Sequence, residues 1–142
     1  MLDQPILFLS RYIIEKKADY YRLLRGVTEK GEWQPWLLYI LKGVETTARE
    51  TSEKIGAIGA LLDDFIGRGK DELSGRASKE LIELLFVRPY SKIKFVEEAG
   101  IAKRVTASRY LHELAERGFV TEVKVGTENL FINHRLVDLL SS

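Results

Sequence analysis

The stretch from Ser91 to Asn133 limits most tightly what this chain can fold into. Two short helical patterns flank Ala99-Gly100-Ile101, and two alternating strand patterns flank Gly126. Helix, turn, helix, hairpin is the outline of a winged helix-turn-helix. The second helix is expected from near Ala102 to Arg117. Ala107, Leu111, Leu114 and Ala115 recur there at spacings of three and four, which makes one face apolar. Gly118 stops it, because glycine takes the left-handed C-terminal conformation without a Cβ penalty. Glu98-Ala99-Gly100-Ile101 reads as the tight turn, with Ile101 pointing inward.

The polar residues near the start of that second helix are Lys103, Arg104, Thr106, Ser108 and Arg109. Long cations and hydroxyls at the N-terminal end of a recognition helix are what a DNA major groove calls for. Phe119, Val120, Val123 and Val125 are strand formers, with Glu122 and Lys124 alternating between them. Gly126-Thr127-Glu128-Asn129 is turn chemistry, and Leu130-Phe131-Ile132-Asn133 returns. Lys124 is the wing's candidate phosphate contact. Glu122 and Glu128 oppose it, so the wing's charge is mixed. The expected site is therefore Lys103, Arg104, Thr106, Ser108, Arg109 and Lys124, with DNA as partner. The competing reading of the same cations is a solvated helix face.

Net charge decides little. The 142 residues carry 22 Lys+Arg and 21 Asp+Glu, a net of +1. Residues 76–142 hold 11 basic and 9 acidic side chains, so no strong field marks either half. Any nucleic-acid binding must come from a local patch and must be salt-sensitive. The absence of cysteine excludes disulfides, thiol chemistry and cysteine-ligated metals. No run approaches the roughly 18–20 apolar residues of a membrane span, and Met1-Leu2-Asp3 lacks a basic leader region. A cytoplasmic protein without membrane contact is expected.

Upstream, the pattern is helical. Asp3-Gln4-Pro5 opens a helix over residues 6–17 that is apolar almost all round and must be covered on several sides. Asp19 is placed to cap a second helix, from Tyr20 to about Thr28, with Tyr21, Leu23, Leu24 and Val27 inward; Gly31 ends that segment. A third helix opens at Trp33-Gln34-Pro35-Trp36 and runs to Phe65. Leu37, Leu41, Val44, Ala48, Thr51, Ile55, Ile58, Leu62 and Phe65 alternate at spacings of four and three along it. Gly67-Arg68-Gly69-Lys70-Asp71 breaks the pattern and reads as a linker. Ser78 then caps a helix carrying Leu81, Leu84, Leu85 and Val87, Arg88-Pro89-Tyr90 ends it, and a short closing helix follows Asn133. The fold class is mainly α: residues 1–70 form a helical segment, and residues 77–142 form a winged helix-turn-helix domain with a small β-hairpin.

Catalytic chemistry is scarce. His112 and His134 are the only histidines, and neither has a metal-ligand partner at helical spacing. Asp63 and Asp64 are adjacent and so point apart on a helix. Gly67-Arg68-Gly69-Lys70 lacks the spacing of a phosphate loop. No catalytic residue, metal site or cofactor is expected.

A resemblance adds to this. Ile6-Leu7-Phe8-Leu9-Ser10-Arg11-Tyr12-Ile13-Ile14, Lys17-Ala18-Asp19-Tyr20-Tyr21-Arg22-Leu23-Leu24 and Trp33-Gln34-Pro35-Trp36-Leu37-Leu38-Tyr39 resemble the C-terminal portion of Fic (cell filamentation) proteins. Leu84-Leu85-Phe86, Glu98-Ala99-Gly100-Ile101-Ala102-Lys103-Arg104, Thr106-Ala107-Ser108, Glu122-Val123-Lys124-Val125-Gly126 and Leu130-Phe131-Ile132-Asn133 resemble the winged helix that ends the same class. The resemblance implies a family that transfers AMP from ATP to a protein hydroxyl through a motif of the form HPFxDGNGRxxR. This sequence has no His-Pro pair and no Gly-Asn-Gly-Arg, so no catalytic residue carries over. Architecture does: the closing helices of a Fic core, then a winged helix.

Three functions are consistent with these residues. The first is a non-catalytic module whose winged helix binds DNA in a regulatory role, with residues 6–65 forming a homodimer or docking to a Fic catalytic core. The second is a regulatory or target-recruiting fragment of a protein AMP-transferase, inert alone. The third is a protein-interaction scaffold.

Overall fold

The computed structural model describes residues 9–73 and 79–141. The expected helix start at Asp3-Gln4-Pro5, the apolar residues Ile6, Leu7 and Phe8, and Ser78 as a cap lie outside that range. Among the described residues the chain is mainly helical, with seven helices, a long third one, and a three-stranded antiparallel sheet. It divides into two compact units, Met1–Ile55 and Gly56–Ser142.

The first unit holds α1 (Leu9–Glu15), α2 (Lys17–Lys30) and the opening of α3 (Trp33–Glu72). Its centre is aromatic. Tyr12 and Tyr39 are buried with ring centroids 5.4 Å apart, and Tyr20 meets the Trp36 ring edge-on at 5.2 Å. Such pairs add about 0.5–1.5 kcal/mol beyond the area they bury. Asp19 does not cap α2, which starts earlier; it lies in the first turn and accepts a hydrogen bond from Arg22 at 2.9 Å. Two expectations of burial fail. Ile14 is 72% exposed and Tyr21 57%; the α2 ring turned to Trp36 and Tyr39 is that of Tyr20, which leaves its neighbour Tyr21 outward.

The second unit begins within α3 and continues through α4 (Lys79–Val87), β1 (Tyr90–Ser91), α5 (Ile93–Glu98), α6 (Arg104–Glu116), β2 (Thr121–Val125), β3 (Glu128–Ile132) and α7 (His134–Ser141). Gly67–Asp71 is helical, not a linker. A helical glycine costs about 1 kcal/mol relative to alanine, but packing here holds the turn. Gly69 is buried, and a Cβ on it would already touch Ile82 at 3.5 Å. Arg68 lies 4.3 Å from the Phe119 ring, pairs with Glu72 at 2.9 Å and donates to the Arg117 carbonyl at 3.1 Å. Leu73 is 1% exposed.

Phe65, Leu81, Leu85, Val96, Ala107, Leu111, Leu114 and Phe131 form one core, so α3, α4, α5, α6 and the sheet all contribute to it. Gly100 makes the turn before α6 in the left-handed region, at φ 70°, which a side chain resists. The sheet order is β1-β3-β2. Strand β1 was not expected: Arg88-Pro89-Tyr90 reads as a helix stop, yet Tyr90 and Ser91 pair with Ile132 and Phe131. Asn133 then caps α7, its Oδ1 accepting the Leu136 N–H at 3.1 Å.

Candidate nucleic-acid interface

Helix α6 buries Ala107, Leu111 and Leu114 completely. At 100° per residue, the opposite side carries Val105, Arg109, His112 and Glu116. Arg109 is central there and exposed, its guanidinium 5.6 Å from the Tyr110 ring centroid. Val105, one turn earlier, is 84% exposed. Lys103 precedes the helix in extended backbone and supplies no side-chain cap, so the first-turn N–H groups have no side-chain acceptor. Arg104 opens the helix and is exposed, but it stands five residues and therefore about 140° from Arg109. Thr106 and Ser108 are half-buried on the flanks. The expected residues thus surround the start of α6 and do not form a single line along it.

The hairpin reverses one impression left by the sequence. Its register sets Glu122 opposite Phe131 and Lys124 opposite Asn129. Side chains alternate along a strand, so Glu122 and Lys124 share the sheet face of the fully buried Phe131, while Val123 shares the other face with Leu130. Glu122 is engaged with α6: its carboxylate accepts from Asn129 Nδ2 at 2.6 Å and lies 3.3 Å from His112 Nε2. His112 Nδ1 is 2.7 Å from the Ser108 carbonyl, and its ring meets Phe131 edge-on at 5.3 Å. His112, read from sequence as structural, ties helix to hairpin.

Glu128 is also engaged. Lys92, at the start of α5, hydrogen-bonds its carboxylate, and that bond with the charges of Lys92 and Lys94 holds the Glu128 carboxyl below the usual range. Nothing in the sequence around Lys92 signals this contact. Both acids of the hairpin are therefore paired. Lys103, Arg104, Arg109 and Lys124 form no ion pair among the described residues. Glu113 and Glu116 of α6 are likewise unpaired among the described residues and lie near Arg109 and Arg117. Five unpaired cations, Lys103, Arg104, Arg109, Arg117 and Lys124, thus stand against two unpaired acids, and the net unpaired charge of α6 and the hairpin is positive.

A different surface lies between α4 and the turn before α6. Leu84, Val87, Ala99 and Ile101 line an open groove of about 480 Å³, with Glu80 and Glu83 on its rim. Among the described residues no group of three His, Asp or Glu side chains could hold a metal ion. No described helix is long and apolar enough to cross a membrane.

Residues 47–136 match the family described as protein adenylyltransferase SoFic-like, C-terminal domain. The chain belongs to this family. The matched span takes in most of α3, the α6 residues, the hairpin and the start of α7. What it matches is the C-terminal domain of a Fic-like adenylyltransferase and not the catalytic part, in agreement with the resemblance read from Leu84–Asn133; Ile6–Tyr39 precedes the matched residues. The SoFic-like assignment covers every candidate site residue, Lys103 to Lys124.

Proposed function

We propose that this chain is a non-catalytic C-terminal module of a Fic-like protein, and that Gly56–Ser142 acts as a winged helix-turn-helix that binds duplex DNA in a regulatory role. The observation that carries this reading is the charge pairing around α6. Glu122 and Glu128 are used internally, by His112 with Asn129 and by Lys92, while Lys103, Arg104, Arg109 and Lys124 stay unpaired. Phosphates fix such a protein by charge, here through Lys103, Arg104, Arg109 and Lys124, and by helix N–H groups; Thr106 and Val105 are the side chains that meet base edges. Val105 suits the thymine methyl, as small apolar groups do. The first-unit helices serve dimerisation or docking to a Fic catalytic core. The protein needs no cofactor for these roles.

A fluorescence-anisotropy titration with random duplex DNA at low and moderate salt tests the reading. Salt-dependent binding is expected. No binding at low salt would refute it. A second reading has its own observation: the open groove lined by Leu84, Val87, Ala99 and Ile101 suits a target-recruiting contact with an apolar peptide segment. That reading makes the module a recruiter or scaffold within an AMP-transferase.

A further inference from the structure

Helix α3 carries two apolar lines, and among the described residues only one of them is covered in the first unit. Tyr39, Gly43 and Thr47 are buried, on the side where a Cβ on Gly43 would meet the Tyr12 ring at 2.8 Å. Roughly 120° round the helix run Leu37, Leu41, Val44, Ala48, Thr51 and Ile55. Their spacings alternate between four and three, and none is charged. That is a heptad seam. Leu37, Leu41 and Ile55 are 53%, 63% and 54% exposed.

Two further exposed residues lie beside the seam, Trp33 and Leu38, at 60% and 59%. With Leu41, Ala48 and Ile55 at heptad position a and Leu37, Val44 and Thr51 at d, Trp33 falls at g and Leu38 at e. In a parallel pair of helices, g of one faces e of the other five residues on. Trp33 of one copy then meets Leu38 of the other, so all five exposed large apolar side chains of α3 find apolar cover. Charge favours the same arrangement. Parallel pairing sets Glu45 opposite Ile40 and Lys54 opposite Gly59, with no like charges facing. An antiparallel pair on this seam would bring Glu45 against its own copy and set Leu38 opposite Ser52.

We propose that the exposed half of the α3 seam pairs with the same seam of a second copy of this chain, as a parallel two-stranded coiled coil. The proposal rests on the reading of the helical segment as a dimerisation or docking element and commits it to self-pairing. The exposed seam covers fewer than the three to four heptads of a free-standing coiled coil, so the dissociation constant is expected on the order of micromolar.

Sedimentation velocity of the full chain across the micromolar range should show conversion from monomer to dimer. Leu41→Glu and Ile55→Glu each place like charges in register and should raise the dissociation constant about a hundredfold or more, with far-UV helicity kept. The chain has no cysteine, so Leu37→Cys reports direction: under mild oxidation it should cross-link to itself, as only a parallel layer allows. A monomer at every concentration, a Leu41→Glu protein that still dimerises, or a Leu37→Cys protein that stays uncross-linked overturns the proposal. A monomer that instead binds a separately produced Fic catalytic core ends self-pairing and keeps the docking role. The DNA titration is decided independently of all these outcomes.

Discussion

Replacing Arg104 and Arg109 together with alanine is the sharpest test of the DNA reading. Both side chains are exposed and unpaired, and neither contributes to the core, so the double variant should fold with an unchanged thermal midpoint. Of the unpaired cations, Lys103, Arg104 and Arg109 lie at the N-terminal half of α6 and Lys124 on the hairpin, four in all. If each neutralises one phosphate, the slope of log affinity against log salt is about −3.6, at roughly −0.9 per contact on duplex DNA. Between 50 and 200 mM salt, wild-type affinity should then fall by roughly 100-fold. Removing two contacts halves the slope to about −1.8 and leaves a fall of roughly tenfold. Anisotropy titrations of both proteins at four salt concentrations give the two slopes directly. A double variant that binds as tightly as wild type, with the same slope, would place the DNA contact on another face. Equal slopes with weaker binding throughout would mean the two arginines touch bases or support α6 without neutralising phosphate.

Phe65 is fully buried and meets Phe86 and Phe119 edge-on at 5.3 and 5.2 Å. Phe65→Ala should cost about 3–5 kcal/mol and lower the far-UV melting midpoint by about 15 °C or more. Both tryptophans, Trp33 and Trp36, lie in the other unit, so the fluorescence transition should move less; equal shifts would refute separate cooperative units. Lys92→Ala removes the hydrogen bond that depresses the Glu128 carboxyl. A group with a folded pKa below its unfolded one adds stability that is present above the unfolded value and lost as pH falls through the folded one. In wild type the Glu128 titration by NMR should therefore lie below the ordinary glutamate range, and in Lys92→Ala it should return to it. An unmoved titration would show that Lys92 is not the cause.

The helices were legible because their apolar spacing survives in the sequence. Gly31, Gly100 and Gly126, all at positive φ, fall where turns were expected. Gly67–Asp71 was misread for a physical reason. Glycine signals a break only when nothing else holds the helix, and the holding groups, Ile82, Arg117 and Phe119, are distant in sequence. Strand β1 was missed because two residues carry no period; it exists only through its partner β3. Within the candidate site, the cations were readable and their pairing was not. The sequence shows Glu122 and Glu128 as charges beside Lys124, while their partners His112 and Lys92 come from other elements.

That difference makes Glu122 the residue on which the two views of the hairpin separate. A solvated acid beside a DNA groove would repel phosphate, and Glu122→Gln would then tighten binding and raise the salt slope by about one contact. The geometry predicts otherwise. Glutamine keeps an oxygen to accept from Asn129 but loses the charge that faces His112 Nε2 at 3.3 Å. His112 and Glu122 side chains are 42% and 34% exposed, so solvent screens the pair and the stability cost should stay within about 1 kcal/mol. The local consequence should be larger than the global one. Amide exchange in Thr121–Val125 should quicken, because one of the links holding β2 to α6 is weakened, and DNA affinity should hold or fall slightly as Lys124 is less well placed. Tighter binding in Glu122→Gln, with β2 exchange unchanged, would show that the carboxylate acts on the ligand and not on the fold, and the pairing argument for a net positive surface would fail with it.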